Sequence, residues 1–229
     1  MVFLSDNNIA CVLDVLRLVL LVAILGIASY HDVRSREIPD YVWIVGGGIG
    51  AILYVFDWHS VDHYVLFSIG MGFVIAFLIW RLFPMGDADA LAIITVSVAC
   101  PVSFGAVMNP AVVFLGGLFL EHMYAFFYNV RYNLADALGP MGLFGGVENS
   151  RLGKAMAFYS VHRKRNHEKF TFCAERVCNG KKHISFKTPP ADSDYETRQG
   201  VFVSWAMPAC PFMLAALVLG ILVTAGLYG

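Results

Sequence analysis

The chain has 229 residues, of which 58% are hydrophobic and only 14% charged, with a net charge of −1. Soluble domains carry about 25% charged residues, so an ordinary soluble fold is excluded. The near-zero net charge leaves no global field to attract nucleic acid.

A bilayer core takes roughly 20 apolar residues per helical span, and the chain supplies six candidate spans. The first runs from Ile9 to Tyr30. No Lys or Arg precedes it and its apolar run outlasts a secretory signal core, so it is expected to be an uncleaved span. Within it Asp14 and Arg17 stand i,i+3 apart and can neutralise each other. The second, Tyr41 to Val55, is short and glycine-rich; Gly46 and Gly50, four apart, predict close approach of a neighbouring helix. The third and fourth run from Tyr64 to Phe83 and from Ala90 to Val107. The fifth, Ala111 to Val130, carries the ionisable pair Glu121-His122 near its middle, for which a polar contact between helices is the plainer reading and proton binding the functional one.

Arg131 to Trp205 is a polar insertion with 12 of the chain's 16 Lys and Arg residues and seven acidic ones. Its excess of positive charge suits a surface facing anionic lipid head groups. Ser150 is placed to cap a helix from Arg151 through His162. Phe170 to Phe172 and His183 to Phe186 alternate with period two, and Asn179-Gly180 between them predicts a hairpin turn. Pro189-Pro190 with Asp192, Asp194 and Glu196 reads as a loop back to a last span, Met207 to Tyr228. The expected architecture is an all-α polytopic membrane protein of six helices with a small α+β insertion. Its parts are a membrane region over 1–130, the insertion over 131–205 and a last helix over 206–229.

Positive charge fixes an expected orientation. Arg34 and Arg36 follow the first span, Arg81 ends the third, and the insertion precedes the sixth, while Asp57 to His63 and Met108 to Pro110 carry no Lys or Arg. The positive-inside rule then places both termini outside the cell membrane and the insertion in the cytoplasm.

Carboxylates beside hydrocarbon need a reason. Asp32 ends the first span and Asp89 opens the fourth, so opposite span directions bring both to the cytoplasmic side. Such a pair can hydrolyse a peptide bond with neither a protein nucleophile nor a metal, because two neighbouring carboxyls do not both ionise readily and one serves as acid while the other serves as base. The bland reading is that both are helix caps, Asp89 lying where the helix dipole favours a negative charge.

The run Asp32-Val33-Arg34-Ser35-Arg36-Glu37-Ile38-Pro39-Asp40-Tyr41 resembles the segment after the first span of prepilin and preflagellin leader peptidases. Gly86-Asp87-Ala88-Asp89 resembles their Gly-x-Gly-Asp motif at the start of span four, with Ala88 for the second glycine, an extra acid at Asp87, and Leu91 where many relatives carry Lys. The basic segment before a last span that opens Pro208-Ala209-Cys210-Pro211 is similar to the layout of the archaeal preflagellin peptidases. The resemblance implies a membrane aspartic endopeptidase that removes a basic leader from preflagellin- or prepilin-like proteins at the cytoplasmic face, with Asp32 and Asp89 as the catalytic pair. Asp87 is the competing choice for the second acid. Gly86, Asp87, Arg34, Arg36 and Glu37 are then candidates for contact with substrate, and Glu37 and Asp40 for its basic residues.

No cofactor is expected. The five cysteines are odd in number and irregularly spaced, unlike a disulfide framework. Cys173, Cys178 and His183 do not fit a standard zinc spacing, so no metal is expected either. The partners expected are precursor proteins and membrane lipids, not nucleic acid. Two other classes keep a place: a small ion-coupled transporter using Asp14, Glu121 and His122, and a non-enzymatic scaffold of a filament assembly machine.

Overall fold

The computed structural model describes residues 6–57, 61–82, 87–103, 107–138, 142–178, 180–185 and 194–228. The chain is mostly helical and divides into two compact units, one from Met1–Leu120 with Pro208–Gly229, the other from Glu121–Met207.

In the first unit, α1 (Asp6–Ser35), α2 (Asp40–Phe56), α3 (His63–Leu82) and α4 (Asp87–Ala99) follow one another. A two-residue antiparallel ladder then joins β1 (Val102–Ser103) to β2 (Val107–Met108). α5 (Asn109–Ala137) leads out of the unit, and α7 (Ala209–Tyr228) returns to it. Among the described residues three helical segments are long and apolar enough to cross a membrane: Val12–Ser35, His63–Arg81 and Asn109–Ala137. The other three apolar helices are shorter.

The fourth expected span differs from the helix found. It was expected to run from Ala90 to Val107, but α4 stops at Ala99. Pro101 is the cause, since proline has no N–H to donate and disfavours helical backbone in the residue before it. The carbonyls released there find new donors: Asn109 Nδ2 donates to Cys100 O at 2.7 Å and Asn109 N to Pro101 O at 3.0 Å. The fifth helix also begins earlier and ends later than the expected Ala111 to Val130.

The core of this unit is built on Leu21 and Leu25 of α1, Trp43 of α2, Ile79 of α3, Ile93 of α4 and Leu217 of α7. Small residues set the spacing. A Cβ on Gly46 would lie 2.5 Å from the end of the Ile24 side chain, and one on Gly50 would overlap the backbone of Ala99, so the expected close approach at both glycines is met by α1 and α4. In α5 the turn Val112–Gly116 is a π-helix, and Cβ atoms on Gly116 and Gly117 would press on Ala216 and Met213 of α7. At the other end of α1, Arg17 is 1% exposed. It bonds Asp14 at 2.7 Å, as its spacing predicts, and also Asp57 at 3.1 Å and Leu53 O at 3.1 Å, with its guanidinium over the Tyr54 ring. A buried cation is stable only with such partners, and this set ties α1 to the end of α2.

The second unit holds α6 (Arg151–Ser160), whose N-terminus is capped as expected: Gly153 N donates to Ser150 Oγ at 3.1 Å. The antiparallel strands β3 (His162–Arg163) and β4 (Thr171–Cys173) flank β7 (Phe202–Trp205). A separate hairpin pairs β5 (Glu175–Cys178) with β6 (Lys181–Ile184). Gly180, at φ +77°, supplies the turn; Asn179 lies outside the described residues, as do Phe186, Pro189-Pro190 and Asp192. The expected pairing of Phe170–Phe172 across that turn is corrected: Thr171–Cys173 pairs with β7. Thr171 and Val203 are both fully buried, and β7, an apolar strand not anticipated, offers both its edges in the core.

A polar cluster locks this unit. His162, fully buried, sets Nδ1 at 2.8 Å from Asn129 Oδ1 and Nε2 at 2.9 Å from Glu168 Oε1. Tyr128 Oη and the Arg165 backbone N–H also donate to the Glu168 carboxylate.

Candidate active site

The last turn of α1 carries Asp32, which is 8% exposed. α1 can end there because Arg36 adopts φ +61° and its N–H returns to Asp32 O at 3.2 Å, a left-handed C-terminal turn. The Asp32 carboxylate faces Arg36 and the backbone N–H groups of Ala209 and Cys210 at the start of α7. Its Oδ2 accepts the backbone N–H of Cys210 at 3.0 Å, and its Oδ1 faces Arg36 Nη1 at 3.6 Å. Cys210 is the second residue of α7, and a helix N-terminus presents unpaired N–H groups and a partial positive charge. The acid therefore caps a helix 178 residues further along the chain.

Asp89 stands in the first turn of α4 and is half-buried. The buried Cys210 side chain lies within electrostatic reach of both Asp32 and Asp89. Three elements thus converge: the end of α1, the start of α4 and the start of α7. Two carboxyls brought close together can divide the roles of acid and base between them.

The remaining predicted residues fall as follows. Asp87 is the first residue of α4, its side chain being outside the described set, and Gly86 lies outside it altogether. Arg34 is exposed and donates to Tyr30 Oη. Arg36 turns back onto Asp32. Glu37, in the link between α1 and α2, and Asp40, the first residue of α2, are exposed. Two of the residues around Asp32, Arg36 as an ion-pair partner and Cys210 as a backbone donor, have sequence signals of different strength. Arg36 follows Asp32 by four and could be paired on helical spacing; the Cys210 amide carries no signal beyond the prolines around it.

Beside Asp89 an apolar groove of about 370 Å³ opens between α3 and α4, lined by Phe73, Phe77, Trp80, Ala90, Leu91 and Ile94 among others. Leu91 is part of its wall. Among the described residues no group of three or more His, Cys, Asp or Glu side chains is gathered to hold a metal.

A bundle of apolar helices, with Asp32 in the last turn of one and Asp89 in the first turn of another, defines a class of helical membrane protein. Residues 19–130 match the type IV leader peptidase family, and both Asp32 and Asp89 lie in that stretch. The preflagellin peptidase of Methanococcus maripaludis is similar at 31% identity over 111 residues, covering 41% of this chain and 48% of that protein. The match thus spans about half the length of that relative. No solved structure matches the chain. Over residues 19–130, just under half of its length, the chain is similar to prepilin and preflagellin leader peptidases.

Proposed function

We propose that this protein is a membrane aspartic endopeptidase that removes the short basic leader from preflagellin- or prepilin-like precursors at the cytoplasmic face. The observation that carries the reading is the burial of Asp32 against the start of α7 with Asp89 in electrostatic reach of the same Cys210, both aspartates lying in the stretch that matches leader peptidases. In this mechanism one carboxyl is ionised and takes a proton from a water, which attacks the scissile carbonyl. The other is protonated and gives its proton to the carbonyl oxygen; the proton taken from water then passes to the departing amine. Arg36 and the Cys210 N–H hold Asp32 in place. Exposed Glu37 and Asp40 face the basic leader, and the groove beside Asp89 accommodates the apolar segment that follows the cut. The proposal includes six spans, with α2, α4 and α7 as the shorter three, both termini outside, and residues 131–205 as a cytoplasmic insertion. It requires no cofactor.

The test is cleavage of a preflagellin-type substrate in membranes carrying wild type, Asp32→Asn, Asp89→Asn or Asp87→Asn. Asn keeps the size and removes the titrating group. A loss of at least about 100-fold is expected for the first two, with Asp87→Asn retaining activity. Loss at Asp87 with retention at Asp89 moves the second acid by two residues, and full activity in all three sinks the two-aspartate mechanism.

A further inference from the structure

We propose that α6 is an interfacial helix that lies in the plane of the membrane surface and inserts its outward face among the lipids. The buried side of this ten-residue helix is accounted for by Ala157 and Phe158 in the core of the second unit. Its outward face is also apolar. Leu152, Met156 and Tyr159 are 73%, 50% and 47% exposed, and their i, i+4, i+7 spacing aligns them in one stripe. Ala155, also exposed, lies within the same stripe, and no charged residue interrupts it. A solvated helix of a soluble domain would be polar there.

The position of the stripe names its occupant. Tyr159 stacks on Phe126 of α5, with ring centroids 5.1 Å apart and planes 7° off parallel. Phe126 and its neighbour Phe127, 39% and 61% exposed, belong to the segment Asn109–Ala137, which is long and apolar enough to span. At about 1.5 Å per residue its 29 residues exceed the roughly 30 Å of a bilayer core. After the Glu121-His122 pair, polar side chains become frequent near its end: Asn129, Arg131, Asn133 and Asp136. The aromatic pair therefore marks the depth at which the apolar core gives way to head groups. Asn129 Nδ2 and Asn133 Nδ2 donate to Tyr159 O and Phe158 O, which pins the end of α6 at that level. Arg131, near the end of α5, and Arg151, at the start of α6, are both exposed, and exposed basic residues suit anionic head groups. The exposed stripe of α6 thus continues the exposed aromatic face of a spanning helix, and lipid is the partner that fits both.

This inference rests on α5 crossing the bilayer, which is part of the proposed function. The experiment places single nitroxide labels at Leu152→Cys, Met156→Cys and Tyr159→Cys in the full chain, with Cys11, Cys173 and Cys178 replaced by Ser. The protein is reconstituted in vesicles of phosphatidylcholine and phosphatidylglycerol. Collision with oxygen, which concentrates in lipid, is compared with collision with an aqueous nickel chelate; Phe127→Cys and Arg176→Cys serve as lipid and water references. We expect the three α6 positions to favour oxygen several-fold relative to Arg176→Cys. Preference for the nickel chelate on α6, with Phe127→Cys still in lipid, overturns this inference alone. Shielding of the stripe from both reagents identifies a protein partner and overturns it as well. Nickel accessibility at Phe127→Cys removes the spanning helix itself, and the proposed function falls with it.

Discussion

Asp32 fills a place that a carboxylate with no chemical task would also fill, the N-terminus of a neighbouring helix. The cap and the proposed base are separable because they use different properties of the group. The cap needs an oxygen to accept the Cys210 N–H, whereas proton transfer needs a titrating oxygen. Asp32→Ala is therefore expected to lower stability by about 0.5–2 kcal/mol as well as to abolish cleavage, while Asp32→Asn abolishes cleavage with little loss of stability; thermal unfolding in detergent separates the two. In the second unit Glu168 couples folding to pH. Burial alone raises its pKa, but hydrogen bonds from His162 and Tyr128 and the Arg165 N–H outweigh it and hold the carboxyl at about 2, against an ordinary 4.5. A depressed folded-state pKa stabilises above the unfolded value and loses that contribution as pH falls from about 4.5 toward 2. Hydrogen exchange at β4 and β7 is expected to accelerate over that window in wild type and to be flatter there in Glu168→Gln. At this scale the sequence was legible where partners are close along the chain. Asp14 and Arg17 announce each other by spacing, but Asp57, which shares the same guanidinium, is 40 residues away and has no local sign.

At the scale of elements, hydropathy located the helices, and the local chemistry of proline and glycine decided their limits. α4 is only 13 residues long, about 20 Å of helix, and is followed by non-helical backbone. Such backbone is tolerated at membrane depth only where protein satisfies its polar groups, and buried Asn109 does this at Cys100 and Pro101. Gly50 sets the distance between α2 and this short helix. Gly50→Val is expected to lower stability by about 1–3 kcal/mol, because a side chain there meets the Ala99 backbone, which has no rotamer to yield. Gly48→Ala is the control: a Cβ at Gly48 meets nothing within 4 Å, so its stability stays level or rises slightly. Melting temperatures of the two variants in the same detergent check the contrast. The insertion's turn was legible because Gly180 needs a positive φ. The partner of Thr171–Cys173 was not, because β7 is an apolar strand some 30 residues away that reads, from composition, as the approach to a helix.

For the whole molecule, the charge distribution carries the strongest expectation. With 12 of 16 Lys and Arg residues between Arg131 and Trp205, the positive-inside rule predicts both termini outside. Reporter fusions at Met1 and Gly229 are expected to report the outer side and one at the Gly180 turn the cytoplasm; a terminus on the inner side would reduce the span count to an odd number or invert the proposed site. What the sequence alone determined is whatever depends on composition and near-neighbour spacing. That covers the membrane class, the apolar segments, the helix cap at Ser150, the Arg17 pairing with Asp14, and the two aspartates as the acids worth watching, the last through motif resemblance. Tertiary structure decided which groups surround them: the α7 N-terminus at Asp32, the arrival of Asp89 at the same cysteine, the early end of α4 and the strand that β4 joins. These are contacts between residues far apart in the chain, where hydropathy and periodicity are silent because any apolar helix can pack on any other. Which helix ends meet is settled by the few positions, such as Gly50 against Ala99 and Asp32 against Cys210, where shape and hydrogen bonding admit one neighbour.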